Sequence, residues 1–236
     1  MAAPKYYVVA RVVSRDGALD KWRERLTALC AVSKTEPFSN SYYWGYDLDG
    51  APDTLWGLEG YYHPVGFHMN HVSGEIFKEE MAKVDDDKLL RNVQGLGSPD
   101  YDLHHYDLAD GFVKRKDDPD ADAVNSVVVI VHFWAKEGKR KQLLGTLADA
   151  ADRVQASEKA GSITVQSFAV LKEVNDFQLA TAYIRTKTLA DWEKLANSSL
   201  FKELLDGLET VVAKQEIHRA QNFIGHIDQD APIGNP

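Results

Sequence analysis

The apolar and polar positions along the chain follow one order twice. A β-branched run starting at Tyr6 and closing at Gly17 lines up with a run from Val127 to Gly138, each ending in a charged residue and glycine. Each run leads into a segment of helical period. The first apolar stripe is Leu19, Trp22, Leu26, Leu29 and Cys30, and the second is Leu143, Leu147, Ala150, Ala151 and Val154. Both keep the spacing of one face of an amphipathic helix. Strand–turn–strand pairs follow at 41–46 and 54–62, and at 163–171 and 177–185. Second helices are predicted over 65–81 and 189–208, anchored on the matching Phe77-Lys78 and Phe201-Lys202 pairs. Closing strands are predicted over 103–111 and 217–225.

Each copy therefore reads β-α-β-β-α-β, a ferredoxin-like unit of the α+β class that leaves one sheet face bare. Two copies in one chain can cover each other, sheet to sheet, as a pseudo-two-fold barrel. The expected organisation is a first repeat over 1–113, a charged, proline-containing linker over 114–125, a second repeat over 126–227 and a frayed tail over 228–236.

Side chains alternate faces along a strand. In the first strand Tyr6, Val8, Ala10 and Val12, matched by Val127, Val129, Val131 and Phe133, form an apolar face suited to the helices. The other face carries Arg11, matched by His132, with Trp134 beyond it, and is expected to line a cavity inside the barrel. The same inner cavity is expected to receive Tyr42, Trp44 and Tyr46 from the second strand. Glu59, Tyr61 and His63 would join them from the third, with Glu59 matched to Tyr183 through the Phe-Lys anchor. In the fourth strand the alternation leaves either His105 and Asp107 or His104 and Tyr106 facing in. A cavity rich in aromatics with few ionisable groups is the usual make-up of a small-molecule site.

Charge and cysteine content narrow the partners. The chain has 236 residues, with 27 Lys+Arg against 36 Asp+Glu. An acidic chain without a basic block is a poor binder of nucleic-acid backbone. One cysteine, Cys30, excludes an internal disulfide and a cysteine-based metal cluster within the chain. With no apolar run long enough to span a membrane, a reduced, cytoplasmic protein is expected. The self-covering repeats allow a monomer and leave a homodimer open.

The first repeat resembles the antibiotic biosynthesis monooxygenase family of the dimeric α/β-barrel superfamily. The residues that carry the resemblance are Val8–Gly17, Ser33-Lys34-Thr35-Glu36-Pro37, the aromatic strand Tyr42–Tyr46, Leu58-Glu59-Gly60-Tyr61, and His71 six residues before Phe77-Lys78. The second repeat keeps Gly161, Tyr183 and Phe201-Lys202. It has Leu195 in place of His71 and Glu158-Lys159 in place of Glu36-Pro37. The resemblance implies an intramolecular dimeric α/β barrel. It also implies a monooxygenase that needs no cofactor and acts with O2 on a small aromatic substrate, such as a polyketide, anthrone or quinol. The superfamily also holds polyketide cyclases, haem-degrading enzymes and proteins with no known chemistry. The haem-degrading pattern of a histidine after Phe-Lys is absent, because Glu79-Glu80-Met81 stand there.

Cofactor-free oxygenation asks for a base and a water-poor pocket. His71 carries the family match and is the first candidate base, with Glu59 as partner or alternative. His68 lies three residues before His71 on a predicted helix and is a further candidate. The spacing of His68, His71 and Glu75 matches no zinc signature, so no metal is expected. Tyr42, Trp44 and Tyr61 would stack on a planar substrate, and Arg11 would hold a phenolate or carboxylate. A non-redox cyclase, lyase or isomerase using the same pocket, and a non-catalytic binding or stress-response protein, are the competing readings.

Overall fold

A computed structural model describes residues 5–116, 118, 121, 124–157 and 164–229. The described residues form eight strands and five α-helices. These are β1 (Tyr6–Val13), α1 (Leu19–Ser33), β2 (Ser39–Asp47), β3 (Thr54–Tyr61), α2 (Glu75–Asp86), β4 (Tyr101–Phe112), β5 (Val127–Ala135), α3 (Arg140–Ser157), β6 (Val165–Glu173), β7 (Leu179–Thr186), α4 (Leu189–Ala196), α5 (Ser199–Leu208) and β8 (Val212–His226). The strands close into an all-antiparallel barrel in the order β1-β3-β2-β8-β5-β7-β6-β4. Two seams join the repeats, β2 to β8 and β4 to β6. The expected fold is thus present, and the two bare sheet faces cover each other.

The helix stripes fall where the period places them. Leu143, Leu147, Ala150, Ala151 and Val154 are all buried under the second repeat, and Trp22, Leu26, Leu29 and Cys30 under the first. Gly17 and Gly138 hold equivalent left-handed turns between strand and helix, at φ of 73° and 71°, a conformation glycine adopts without steric cost.

Both predicted second helices are broken. In the first repeat a π-helical turn, Gly66–His71, precedes α2. In the second, Asn197 ends one helix and Ser198 caps the next, its hydroxyl accepting from the Phe201 N–H.

The barrel interior holds Tyr7, Val9, Tyr43, Trp56, Tyr106, Ile130 and Tyr183. That confirms the inner face of β1 and β5 and assigns His104 and Tyr106, not His105 and Asp107, to the inner side of β4. The segment expected as a linker is packed rather than loose where it is described. Arg115 is buried and donates to the carbonyls of Val165, Gln155 and Val154. Asp118 forms a buried ion pair with Arg185. In the tail, Gln229 is held by its N–H to the Asn40 carbonyl and by Tyr62, which donates to its carbonyl. Residues 230–236 lie outside the described residues, as do Glu158, Lys159, Gly161 and Ile163. No helix among the described residues is long and apolar enough to cross a membrane.

Candidate functional site

The expected single cavity inside the barrel is corrected by the register of β2 and β3. Val8 pairs with Glu59 and Val129 with Ile184, so Glu59 corresponds to Ile184, one residue away from the Tyr183 given by the Phe-Lys spacing. A one-residue slip moves every side chain of a strand to the opposite face. β-bulges at Ser39/Ser41 and Val165/Ser167 shift the alternation of β2 and β6 as well. Tyr42, Trp44, Glu59 and Tyr61 therefore point away from the barrel interior, toward the helices of the first repeat.

There they meet a real hollow. A cavity of about 280 Å³ lies between the sheet and the helices of the first repeat, walled by Trp22, Tyr42, Trp44, Phe77, Tyr101 and one carboxylate, Glu59. Gly57 makes room for the Trp44 indole: a Cβ there would stand 2.5 Å from the ring. The Tyr42 hydroxyl and the Trp44 indole nitrogen are buried side by side, with no other hydrogen-bond partner among the described residues.

Behind Glu59 sits a buried chain of acid and base. The Tyr61 hydroxyl donates to Glu59 Oε2 at 3.1 Å. His71 Nε2 lies 4.0 Å from that same oxygen, too far for a hydrogen bond and close enough for a strong charge interaction. His71 Nδ1 meets Glu36 Oε2 at 2.7 Å. His71 is 1% exposed, whereas Glu36, on the loop after α1, is 11% exposed and reaches the surface. Burial raises the Glu59 pKa, with Glu36 adding to the rise and His71 and Tyr61 opposing it. For His71, burial disfavours the charge, but the hydrogen bond to Glu36 and the charges of Glu59 and Glu36 outweigh it and raise the pKa. Burial holds the Tyr42 and Tyr61 hydroxyls well above their usual range, so both remain donors near neutrality.

The remaining expected residues lie elsewhere. His68 and His71 do not share a face, because the π-helical turn changes the angle between them: His71 is buried and His68 exposed beside Phe67 and His105. His63 is exposed, its Nδ1 accepting from the Val65 N–H. Tyr46 stacks on Phe223 at the end of the sheet, with Arg23 over its ring. Arg11, His132 and Trp134 line a separate cavity at one mouth of the barrel. Glu36 had been visible only as part of the Ser33–Pro37 segment. Its contact with His71 spans 35 positions in sequence and needed the fold. Among the described residues, no group of three or more His, Cys, Asp or Glu is placed to hold a metal ion.

No protein-family model matches the sequence, and no curated protein matches it as a relative. Solved structures do match in fold. A candidate monooxygenase from Fusobacterium nucleatum superposes with a TM-score of 0.77 at 10% identity, covering 100% of both chains. A candidate monooxygenase from Lactobacillus acidophilus gives 0.72 at 10% identity, covering 97% of this chain and 98% of the other. A protein described as anthrone oxidase-like gives 0.66 at 12% identity, covering 99% and 97%. The chain folds as a closed eight-stranded α/β barrel built from two repeats, and shares that fold from end to end with these three structures.

Proposed function

We propose that the protein is a cofactor-independent monooxygenase whose site is the first-repeat cavity and whose substrate is a planar aromatic of the anthrone or quinol type. The observation that carries this reading is a single buried carboxylate, Glu59, on the wall of an aromatic cavity, backed by His71 and Glu36 leading to the surface. The geometry favours a division of roles different from the one the motif suggested. Glu59 faces the cavity and acts as the base. His71 stands behind it and acts through it.

Burial makes Glu59 a stronger base than an exposed carboxylate, because a raised pKa strengthens the proton acceptor. It removes a proton from the activated methylene of the substrate. The oxygen that gains charge is received by the Tyr42 hydroxyl, which lines the cavity and stays protonated near neutrality. The carbanion adds to O2, forming a carbon–oxygen bond and a peroxide anion that takes the proton back from Glu59. Loss of the second methylene proton with cleavage of the O–O bond leaves a carbonyl and water. In net terms, one methylene and one O2 become one carbonyl and one water. His71 and Glu36, behind Glu59, act by charge: His71 holds the Glu59 pKa down against burial, and Glu36 raises it. The apolar walls keep bulk water from the peroxide.

The test is O2 uptake with anthrone as probe, corrected for its spontaneous oxidation. The wild type should consume one O2 per quinone formed and form none without O2. The double variant Glu59→Gln/His71→Asn should fall to the background rate. Retained uptake in the double variant overturns the reading. Turnover under nitrogen replaces it with the non-redox cyclase or isomerase.

A further inference from the structure

The mouth of the barrel between β1, β3, β4, β5 and β8 carries a second cavity, of about 240 Å³, that the proposed reaction does not use. Both repeats build it. Its deepest polar group is His132, 3% exposed, whose Nδ1 lies 2.8 Å from Thr181 Oγ1. Tyr106, fully buried, has its hydroxyl 2.7 Å from that same Oγ1. A buried hydroxyl left without an acceptor is costly, so the run of donors is Tyr106 to Thr181 to His132 Nδ1. This order makes His132 Nε2 an N–H donor, and among the described residues it meets no acceptor. Arg11 lines the same cavity with its part-exposed guanidinium, and its Nε is buried without a hydrogen-bond partner among the described residues.

The walls are aromatic. Trp56 stacks on His218 at 4.2 Å, and Lys214 lies over the Trp134 ring at 4.3 Å. The two carboxylates of the mouth, Asp102 and Glu216, sit on its exposed rim, where they pair with Arg11 at 3.5 Å and Lys214 at 2.8 Å. His104 stands beside His132 at 5.5 Å. Burial, with His104, His218, Arg11 and Lys214 around it, pushes His132 down to about 3, so its ring is neutral. The cavity thus sets the His132 N–H and the Arg11 guanidinium between flat aromatic surfaces, with its two carboxylates at the rim.

We infer that the barrel mouth is a second binding site for a planar aromatic carboxylate, its carboxylate received by His132 Nε2–H and the Arg11 guanidinium and its ring held by Trp56 and Trp134. This site differs in kind from the first-repeat cavity, whose one charged lining residue is the carboxylate Glu59.

Isothermal titration with benzoate, and with neutral benzamide as the control, tests it. Benzoate should bind to the intact protein and benzamide about tenfold more weakly or not at all, the scale of one charge-assisted hydrogen bond. Arg11→Met and His132→Phe should each weaken benzoate about tenfold, whereas Glu59→Gln in the other cavity should leave its affinity unchanged. Arg11 is part-exposed, so its variant keeps the test open if His132→Phe does not fold. Absence of binding, equal binding of benzamide, or undiminished affinity in Arg11→Met would overturn the inference, as would a loss confined to Glu59→Gln.

Discussion

The same sheet face is built twice in this chain and put to two uses. In the first repeat the positions facing the helices are Tyr42, Trp44, Gly57 and Glu59, and a cavity opens over them. In the second the paired registers place Phe168, Val170, Ala182 and Ile184 at those points, all buried in one apolar cluster with Trp192 and Phe201. The backbone geometry is shared, so the difference lies in the side chains. One glycine lets an indole lie flat, one carboxylate sits where the other repeat has a branched aliphatic, and Leu195 stands by spacing where His71 is. A repeat relieved of packing can carry chemistry while its partner supplies core.

The contrast can be broken at several points. The largest effect is expected in stability. Leu147→Ala, in the filled repeat, should cost about 2–5 kcal/mol. Leu29→Ala, on the cavity wall, should cost less, because a side chain bordering a hollow has fewer contacts to lose. Urea denaturation of both variants checks this, and equal costs would mean that the cavity is closed in solution.

Next in size is catalysis. Glu59→Gln should lower kcat about 100-fold or more, the scale of a positioned base. Ile184→Val should cost only about 0.5–1.5 kcal/mol of stability, with no loss of turnover per folded molecule.

Gly57→Ala gives the first repeat the methyl group that Ala182 already carries in the second. The new Cβ meets Trp44 and must push it into the cavity, so KM should rise several-fold with the fold retained. An unchanged KM would exclude substrate from that wall.

A smaller effect is expected in the pH profile. His71 holds the Glu59 pKa down against burial, so His71→Asn should raise it further. The base then loses its proton only at higher pH, and the acid limb of kcat/KM should move upward. A downward shift would mean that His71 is itself the base. The smallest effect is reserved for His68→Ala: exposed and turned away from Glu59, it should leave kcat and KM unchanged.

Much of the fold was legible because it rests on period. The stripes of α1 and α3 and the inner and outer faces of β1 and β5 follow from spacing alone, and the repeat order implied the barrel. The candidate site was legible in its residue types and not in its geometry. Glu59, His71, Tyr42, Trp44 and Tyr61 do assemble, but on the helix side. Counting from Phe77-Lys78 across a broken helix missed the register by one residue, and a period of two turns that error into the wrong face. Arg11, His132 and Trp134 were placed on the correct face, and for that reason belong to another cavity. The π-helical turn that separates His68 from His71 left no periodic trace.

What the sequence determined by itself was the alternation of apolar and polar positions, and hence two β-α-β-β-α-β units that need each other's sheet. What only the tertiary structure decided was register and adjacency. Strand pairing and bulges choose which face of β2 and β3 meets the helices, and loop closure sets Glu36 against His71 across 35 positions. Those choices depend on contacts distant in sequence, which no local pattern contains.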